Sequence, residues 1–216
     1  MYIWQQPGWQ AVAGKPSRPA FAWDAGILQP RLEAIRLLQG RLLGQSDLVV
    51  AEADQQAHMD ALVQTALRTS EIEGEVLNVG SVRSSVVRRL GLEKAGFVTG
   101  LKDAPGTPQT EALVALLVEA TAETVLDLSV DRLCSWQKAL FPEPPVLGNI
   151  RIGQLRGDDP MQVVSGRIDR PTVHFEAPPR LGLEDELARF VHWFNHPPAE
   201  LDSILRAGIA HLWLIT

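Results

Sequence analysis

Cysteine is nearly missing from this chain: Cys134 is the single one in 216 residues. One thiol cannot close an internal disulfide or furnish a cysteine-rich zinc site, and it fits a reducing compartment, so a cytoplasmic location is expected. A basic excess is missing as well. Lysine and arginine number 20 against 26 acidic residues, a formal net charge of -6, so a nucleic-acid partner is not expected. No apolar run approaches the roughly 18 residues of a membrane span, and no membrane partner is expected. The opening MYIWQQPGWQ lacks a basic and an apolar leader segment, so a secretory signal is not expected. Absent too are a Walker A loop, a GxGxxG fingerprint, a GxSxG elbow, a paired-cysteine motif and HExxH.

What is present fits a globular fold: apolar residues make up 45% and charged residues 21%. Three of the six tryptophans, Trp4, Trp9 and Trp23, flank the turn-rich GKPSRP and are expected to pin an N-terminal arm. Asp24 caps a helix to about Leu43, with Leu28, Leu32, Ile35, Leu38 or Gln39, and Leu42 on one face. A second helix is predicted over Ala51 to Ile72, closed by Gly74, and a third from near Ser81 to Gly91. Thr107 and Pro108 open a fourth, which directs Leu113, Leu116, Leu117 and Ala120 to a core. Ser129 caps a fifth with Leu133, Trp136, Gln137 and Leu140 on one side, and FPEPP stops it. Between residues 149 and 179 the segments IRIGQL, MQVVSG and TVHFEAPP read as two or three short strands. Helices return over Leu183 to Asn195 and from Glu200 onward. The last remains apolar to Thr216 with no stop signal, which fits either a domain that ends there or a pattern that continues past it.

The most informative stretch is RTSEIEGE, Arg68 to Glu75. At 100° per residue, Glu73 continues the stripe of Met59, Leu62, Val63, Ala66 and Ser70, whereas Glu71 and Glu75 point away. A carboxylate there needs a cation, for which Arg83, Arg88 and Arg89 are near in sequence. The alternative is a helix that ends at Ile72 and leaves Glu73 in water. Downstream, His174 and Glu176 alternate and on a regular strand share a face with Thr172, leaving Val173 and Phe175 on the other. Such a pair can serve acid–base chemistry or hold a metal, but no third ligand accompanies it, and an ordinary hairpin contact is the simpler reading. His58, His192, His196 and His211 read as structural, as does Cys134.

The opening WQQPGW with FAWD, GRLLG, TSEIEGE followed by SVRSSVVRRLGL, PMQVVSG, VHFEAPP, ELARFVHWFN and AHLWLIT together resemble the N-terminal part of a bacterial Fic (Fido) family protein with an extra N-terminal domain. The most specific element is Ser/Thr-x-x-x-Glu-Gly, matched by Thr69, Glu73 and Gly74. The resemblance implies an all-α Fic-like bundle with a small β-hairpin flap, incomplete at its C-terminus. It implies an N-terminal helical domain over 1–95, with an inhibitory helix at about 51–73, and part of the Fic-like core over 96–216, with a hairpin region at about 149–179. It makes Glu73 an inhibitory glutamate that pairs with a catalytic-motif arginine and misplaces the ATP γ-phosphate. It makes Thr172, Val173, His174 and Phe175 a flap that holds a target peptide by edge pairing.

The activity so implied is AMPylation, transfer of AMP from ATP to a hydroxyl side chain of a target protein, which some members reverse. ATP and Mg2+ would be needed in the complete protein, with the target protein as partner; homo-oligomer formation is left open. The sequence departs from the family where chemistry begins. The His-Pro-Phe and Gly-Asn-Gly-Arg signature follows the helix matching AHLWLIT, and this sequence stops at Thr216 first. No catalytic residue or metal ligand is therefore assigned here, and His196-Pro197-Pro198 is not the signature. The chain is expected to be a portion of a protein adenylyltransferase, inactive alone. The alternative is a non-catalytic helical protein-binding or regulatory module; a hydrolase built on His174 and Glu176 is a third reading.

Overall fold

The computed structural model describes residues 23–46, 51–92, 105–122, 126–143, 151–167, 169–177 and 179–215. Among them are seven helices and one antiparallel hairpin. The helices are α1 (Ala25–Ser46), α2 (Ala51–Ile72), α3 (Val79–Arg89), α4 (Pro108–Ala122), α5 (Val130–Ala139), α6 (Leu183–Asn195) and α7 (Ser203–Ile215); the strands are β1 (Gln162–Arg167) and β2 (Arg170–Glu176). The protein is thus mainly helical. It divides into two compact units, one within Met1–Gln39 and Arg156–Thr216, the other within Gly40–Leu155.

The second unit is organised by α2. Its residues Met59, Leu62, Val63 and Ala66 fall on one face and are buried with Val82, Val86 and Val87 of α3, Leu92 and Val114 of α4. Met59, Ala66 and Val82 have no exposed surface at all. The apolar spacing of three and four residues produces this stripe, and removing it from water is the main local driving force. The helix ends follow local rules. Asn78 Oδ1 accepts from Ser81 N–H at 3.0 Å and caps α3, so that helix begins two residues before the expected Ser81. Thr107 Oγ1 accepts from Thr110 N–H at 3.1 Å, and Ser129 Oγ from Arg132 N–H at 3.1 Å.

Polar groups at the α3–α4 contact are satisfied in place. Ser85, fully buried, donates to Glu111 Oε1 at 2.9 Å, and Arg88 donates to the same oxygen at 2.7 Å. Gly106 lies against this carboxylate: a Cβ there would stand 2.2 Å from Glu111 Oε1. On α4 the buried positions are Thr110 and Val114, with Leu113, Leu117 and Val118 packed beside them; Leu116 and Ala120 are half-buried. Trp136 of α5 donates to Glu119 Oε1 of α4 at 2.8 Å, and the Arg132 guanidinium sits 4.9 Å from the Trp136 ring centre.

In the first unit α6 and α7 share an aromatic core. Phe190 is buried, with Phe194 at 6.0 Å and Trp213 edge-on at 5.7 Å. Trp213 donates its indole N–H to Glu186 Oε1 at 2.7 Å. Helix α7 starts at Ser203 rather than Glu200, because Asp202 Oδ1 accepts from Ile204 N–H at 2.8 Å and caps it. That backbone hydrogen bond, together with a bridge from Arg36 of α1, holds the Asp202 carboxyl below its usual range. Asp24 caps α1 as expected, accepting from Ile27 N–H at 3.1 Å. The expected apolar face of α1 is not a buried one: Leu32 is buried, but Ile35, Leu38 and Leu42 are exposed. Between residues 151 and 157 the chain is irregular, so of the two or three expected strands two form, from MQVVSG and TVHFEAPP.

Replacing Met59 with alanine should cost about 2–5 kcal/mol in urea unfolding, because a fully enclosed side chain leaves a cavity. Val76→Ala, at a residue 96% exposed, should stay within about 0.5 kcal/mol of wild type. A pH test reads the Arg180–Glu184 pair. The hydrogen bond from Arg180, then the glutamate's own backbone N–H, lowers the Glu184 pKa from 4.5 to about 2. Its contribution to stability is therefore present above about pH 4.5 and lost as pH falls toward 2. NMR titration of the Glu184 carboxyl should show the low midpoint, and Arg180→Gln should raise it.

Candidate functional site

Two features carry the residues singled out in the sequence, and each lies in its own unit. The first is the end of α2. Here Gly74 N–H donates to Glu71 O at 3.1 Å and Glu75 N–H to Ser70 O at 2.8 Å, with Gly74 at φ 83°. This is a Schellman motif, in which a left-handed glycine turns the chain and satisfies the last carbonyls. Glu73 is the residue between helix and glycine. Its own N–H reaches Thr69 O at 3.3 Å.

The stripe that buries Met59 through Ser70 does not extend to Glu73. The helix ends at Ile72, and Glu73 is exposed, so of the two sequence readings the wet one holds here. The physical reason is the glycine turn, which ends the 100° advance one residue before Glu73. Two of the three neighbouring cations are engaged elsewhere, Arg83 donating to Asp60 at 3.2 Å and Arg88 to Glu111, while Arg89 is exposed. Glu71 pairs with Arg68 at 2.6 Å. Glu73 has no such partner among the described residues, and it stands where the helix dipole is negative, the end that disfavours a carboxylate. Two nearly bare apolar side chains flank it, Ile72 at 83% and Val76 at 96% exposure. Thr69 is exposed one turn earlier.

The second feature is the hairpin. Its register pairs Gln162 with Glu176, Val163 with Phe175, Val164 with Val173, Ser165 with Thr172 and Arg167 with Arg170. His174 has no opposite number: it is the extra residue of a β-bulge. That one-residue slip undoes the alternation on which the sequence reading relied. The His174 ring nitrogen Nε2 lies 2.5 Å from Ser165 Oγ, whereas Glu176 Oε2 accepts from Gln162 at 2.6 Å. Ser165 and Gln162 are three residues apart on β1 and so lie on opposite faces. His174 and Glu176 are therefore separated, and an acid–base or metal-ligand pair made of the two is corrected. Nothing in the sequence marks the bulge.

The hairpin stands in solvent on both faces. Every described β1 residue is exposed, and Val163, Val164 and Val173 remain 57%, 49% and 47% accessible. Thr172 and His174 are exposed as well; Phe175 is placed by its backbone register alone. Among the described residues the sheet has two strands, so each has one edge with no described strand beside it. The Arg167 guanidinium binds Asp169 through two hydrogen bonds, of 2.9 and 3.1 Å, and braces the turn.

Among the described residues no group of three His, Cys, Asp or Glu side chains could hold a metal ion, and no helix is long and apolar enough to cross a membrane. Cys134 is half-buried. The sequence model of a family described as a domain of unknown function, DUF4172, matches residues 2–92, which end just beyond α3. No curated protein matches the chain.

The glycine turn that displays Glu73 can be tested by opposite signs. Gly74→Ala meets no atom within 4 Å, so its cost is the left-handed backbone alone, about 1–2 kcal/mol. Gly208→Ala, within α7 and equally unobstructed, should stabilise by about 0.5–1 kcal/mol. Thermal or urea unfolding of the two variants reads both.

Proposed function

We propose that the chain is the regulatory and target-binding portion of a Fic-type protein adenylyltransferase, an enzyme that joins a target hydroxyl oxygen to the α-phosphorus of ATP and expels pyrophosphate. The observation that carries this reading is Glu73: a carboxylate presented at a helix end, without a cation among the described residues, inside the Thr69–Glu73–Gly74 pattern. A glutamate displayed against the helix dipole is locally unfavourable, and an arginine brought to it from another segment relieves that cost. An arginine held by Glu73 is unavailable to the ATP γ-phosphate, and the carboxylate repels the phosphate besides. The inhibition is electrostatic and needs no motion of α2.

The hairpin supports the target-binding half of the proposal. Among the described residues no strand lies beside the outer edges of this exposed ribbon, and an extended peptide can pair with such an edge as a further strand. In this reading Val173 and the backbone of Thr172 to Phe175 hold the peptide, and His174 is tied to Ser165 rather than used in proton transfer. The ATP-bound Mg2+ of this chemistry has no ligand set among the described residues, and no residue of this chain is assigned to it. Cytoplasmic action belongs to the same proposal.

The non-catalytic alternative, a helical module that docks on a partner through the α2 end, would use the same exposed Ile72, Glu73 and Val76. One experiment separates the two. Protein expressed from the complete reading frame, given labelled ATP and a lysate, should transfer AMP at least about tenfold faster after Glu73→Gly. Glu71→Gly should leave the rate unchanged, and the 216-residue chain should transfer none. If Glu73→Gly merely loses activity, or matches Glu71→Gly, the inhibitory assignment is wrong. If neither the wild type nor Glu73→Gly labels anything, the docking module is the better reading.

A further inference from the structure

The helix end that displays Glu73 has a second feature, which is apolar. Among the described residues three large apolar side chains are more than four-fifths exposed: Ile72 at 83%, Val76 at 96% and Leu181 at 92%, the next being Leu42 at 67%. Two of the three lie within three residues of Glu73. Single apolar residues are ordinary on a protein surface, whereas a pair beside an acidic group calls for a cause.

The turn does not supply one. A Schellman motif is often closed by an apolar contact between the residue after the glycine and the third residue from the helix end. Here those positions are Glu75 and Ser70, whose backbones make the 2.8 Å hydrogen bond of the motif. Both are polar, so Ile72 and Val76 take no part in closing it. The core does not use them either. Leu77, the neighbour of Val76, packs against the buried cluster of α2, α3 and α4 and leaves Val76 outside. Ile72 follows Thr69 by three residues, on the same solvent-facing side of α2. Around this apolar pair the charge has one sign: Glu73 and Glu75 are exposed, and the helix end adds partial negative charge. The surface is therefore complementary to a positive group with apolar neighbours.

We infer that Ile72 and Val76 are the apolar walls of the Glu73 site, which receive the segment that brings the arginine and exclude water from the resulting ion pair. The inference rests on the proposed function and extends its regulation from one side chain to three. The occupant is the arginine-bearing segment of the same polypeptide, with apolar residues beside its arginine. An ion pair left in water is screened and contributes little. Enclosed by apolar side chains, the same pair sits in a lower dielectric, and burial of those side chains offsets the desolvation of the charges. Ile72 and Val76 are thus positioning residues, and a polar replacement of either weakens the inhibition without altering any charge.

The test uses protein expressed from the complete reading frame, given labelled ATP and a lysate, in wild-type, Ile72→Ser, Val76→Ser and Glu73→Gly forms. Each serine variant should raise AMP transfer at least about threefold, and by less than Glu73→Gly does. Added to Glu73→Gly, neither serine should raise it further, because the pair it sheltered is already gone. The conservative Ile72→Leu should keep the inhibition. Thermal melting of the 216-residue chain should be the same for wild type and both serine variants, since neither side chain belongs to the core. If Glu73→Gly raises transfer while either serine variant stays at the wild-type rate, the inhibitory glutamate stands and the walls are wrong. Further gains on top of Glu73→Gly would also overturn them. So would a wild-type rate per molecule that falls as the protein is concentrated, which places the arginine on a second copy. If Glu73→Gly itself raises nothing, the proposed function fails and the walls fail with it.

Discussion

Burial of a single stripe on α2 governs the Gly40–Leu155 unit. Met59, Leu62, Val63 and Ala66 contact α3 and α4 at once, and they leave the helix no freedom to rotate without exposing several side chains. With the stripe fixed, the place where α2 stops decides which residue lies beyond the core. The Schellman turn at Gly74 stops it at Ile72 and puts Glu73 outside. The same packing sets α3 close enough to α4 for Ser85 and Arg88 to share the Glu111 carboxylate. Packing, helix termination and the display of one acidic group are thus consequences of one another.

The hairpin obeys a different constraint. None of its described side chains is buried, so the register rests on the turn and on side-chain pairs across the ribbon. Arg167 with Asp169 braces one end, and Gln162 with Glu176 closes the other. The bulge at His174 absorbs the mismatch between these two anchors. A bulge increases local twist and bends a strand, so the ribbon's edges are shaped where a peptide is proposed to lie. The cost is low because no core position changes face.

Helix ends were the most legible part of the fold, because capping chemistry is local. Asp24, Thr107, Ser129, Gly74 and Gly91 mark the boundaries by residue type alone. Asn78 and Asp202 are equally good caps, and α3 and α7 start from them rather than near Ser81 and Glu200. The Glu73 face was misleading for the opposite reason: periodicity extrapolates a helix past its own stop signal. On α1 the pattern of Leu28, Leu32, Ile35 and Leu42 is helical, yet pattern does not supply a partner, and much of that face is exposed. The bulge left no trace in the residues because alternation looks the same with or without one extra position.

The central claim is that Glu73 is displayed to receive an arginine. A crystal structure of the protein from its complete reading frame, without nucleotide, tests this most directly. The expected result is a Glu73 carboxylate within 4 Å of an arginine guanidinium from outside α2, with α2 still ending at Gly74. A structure in which Glu73 faces solvent in the whole protein, or in which an arginine pairs with Glu71 or Glu75 instead, would contradict it.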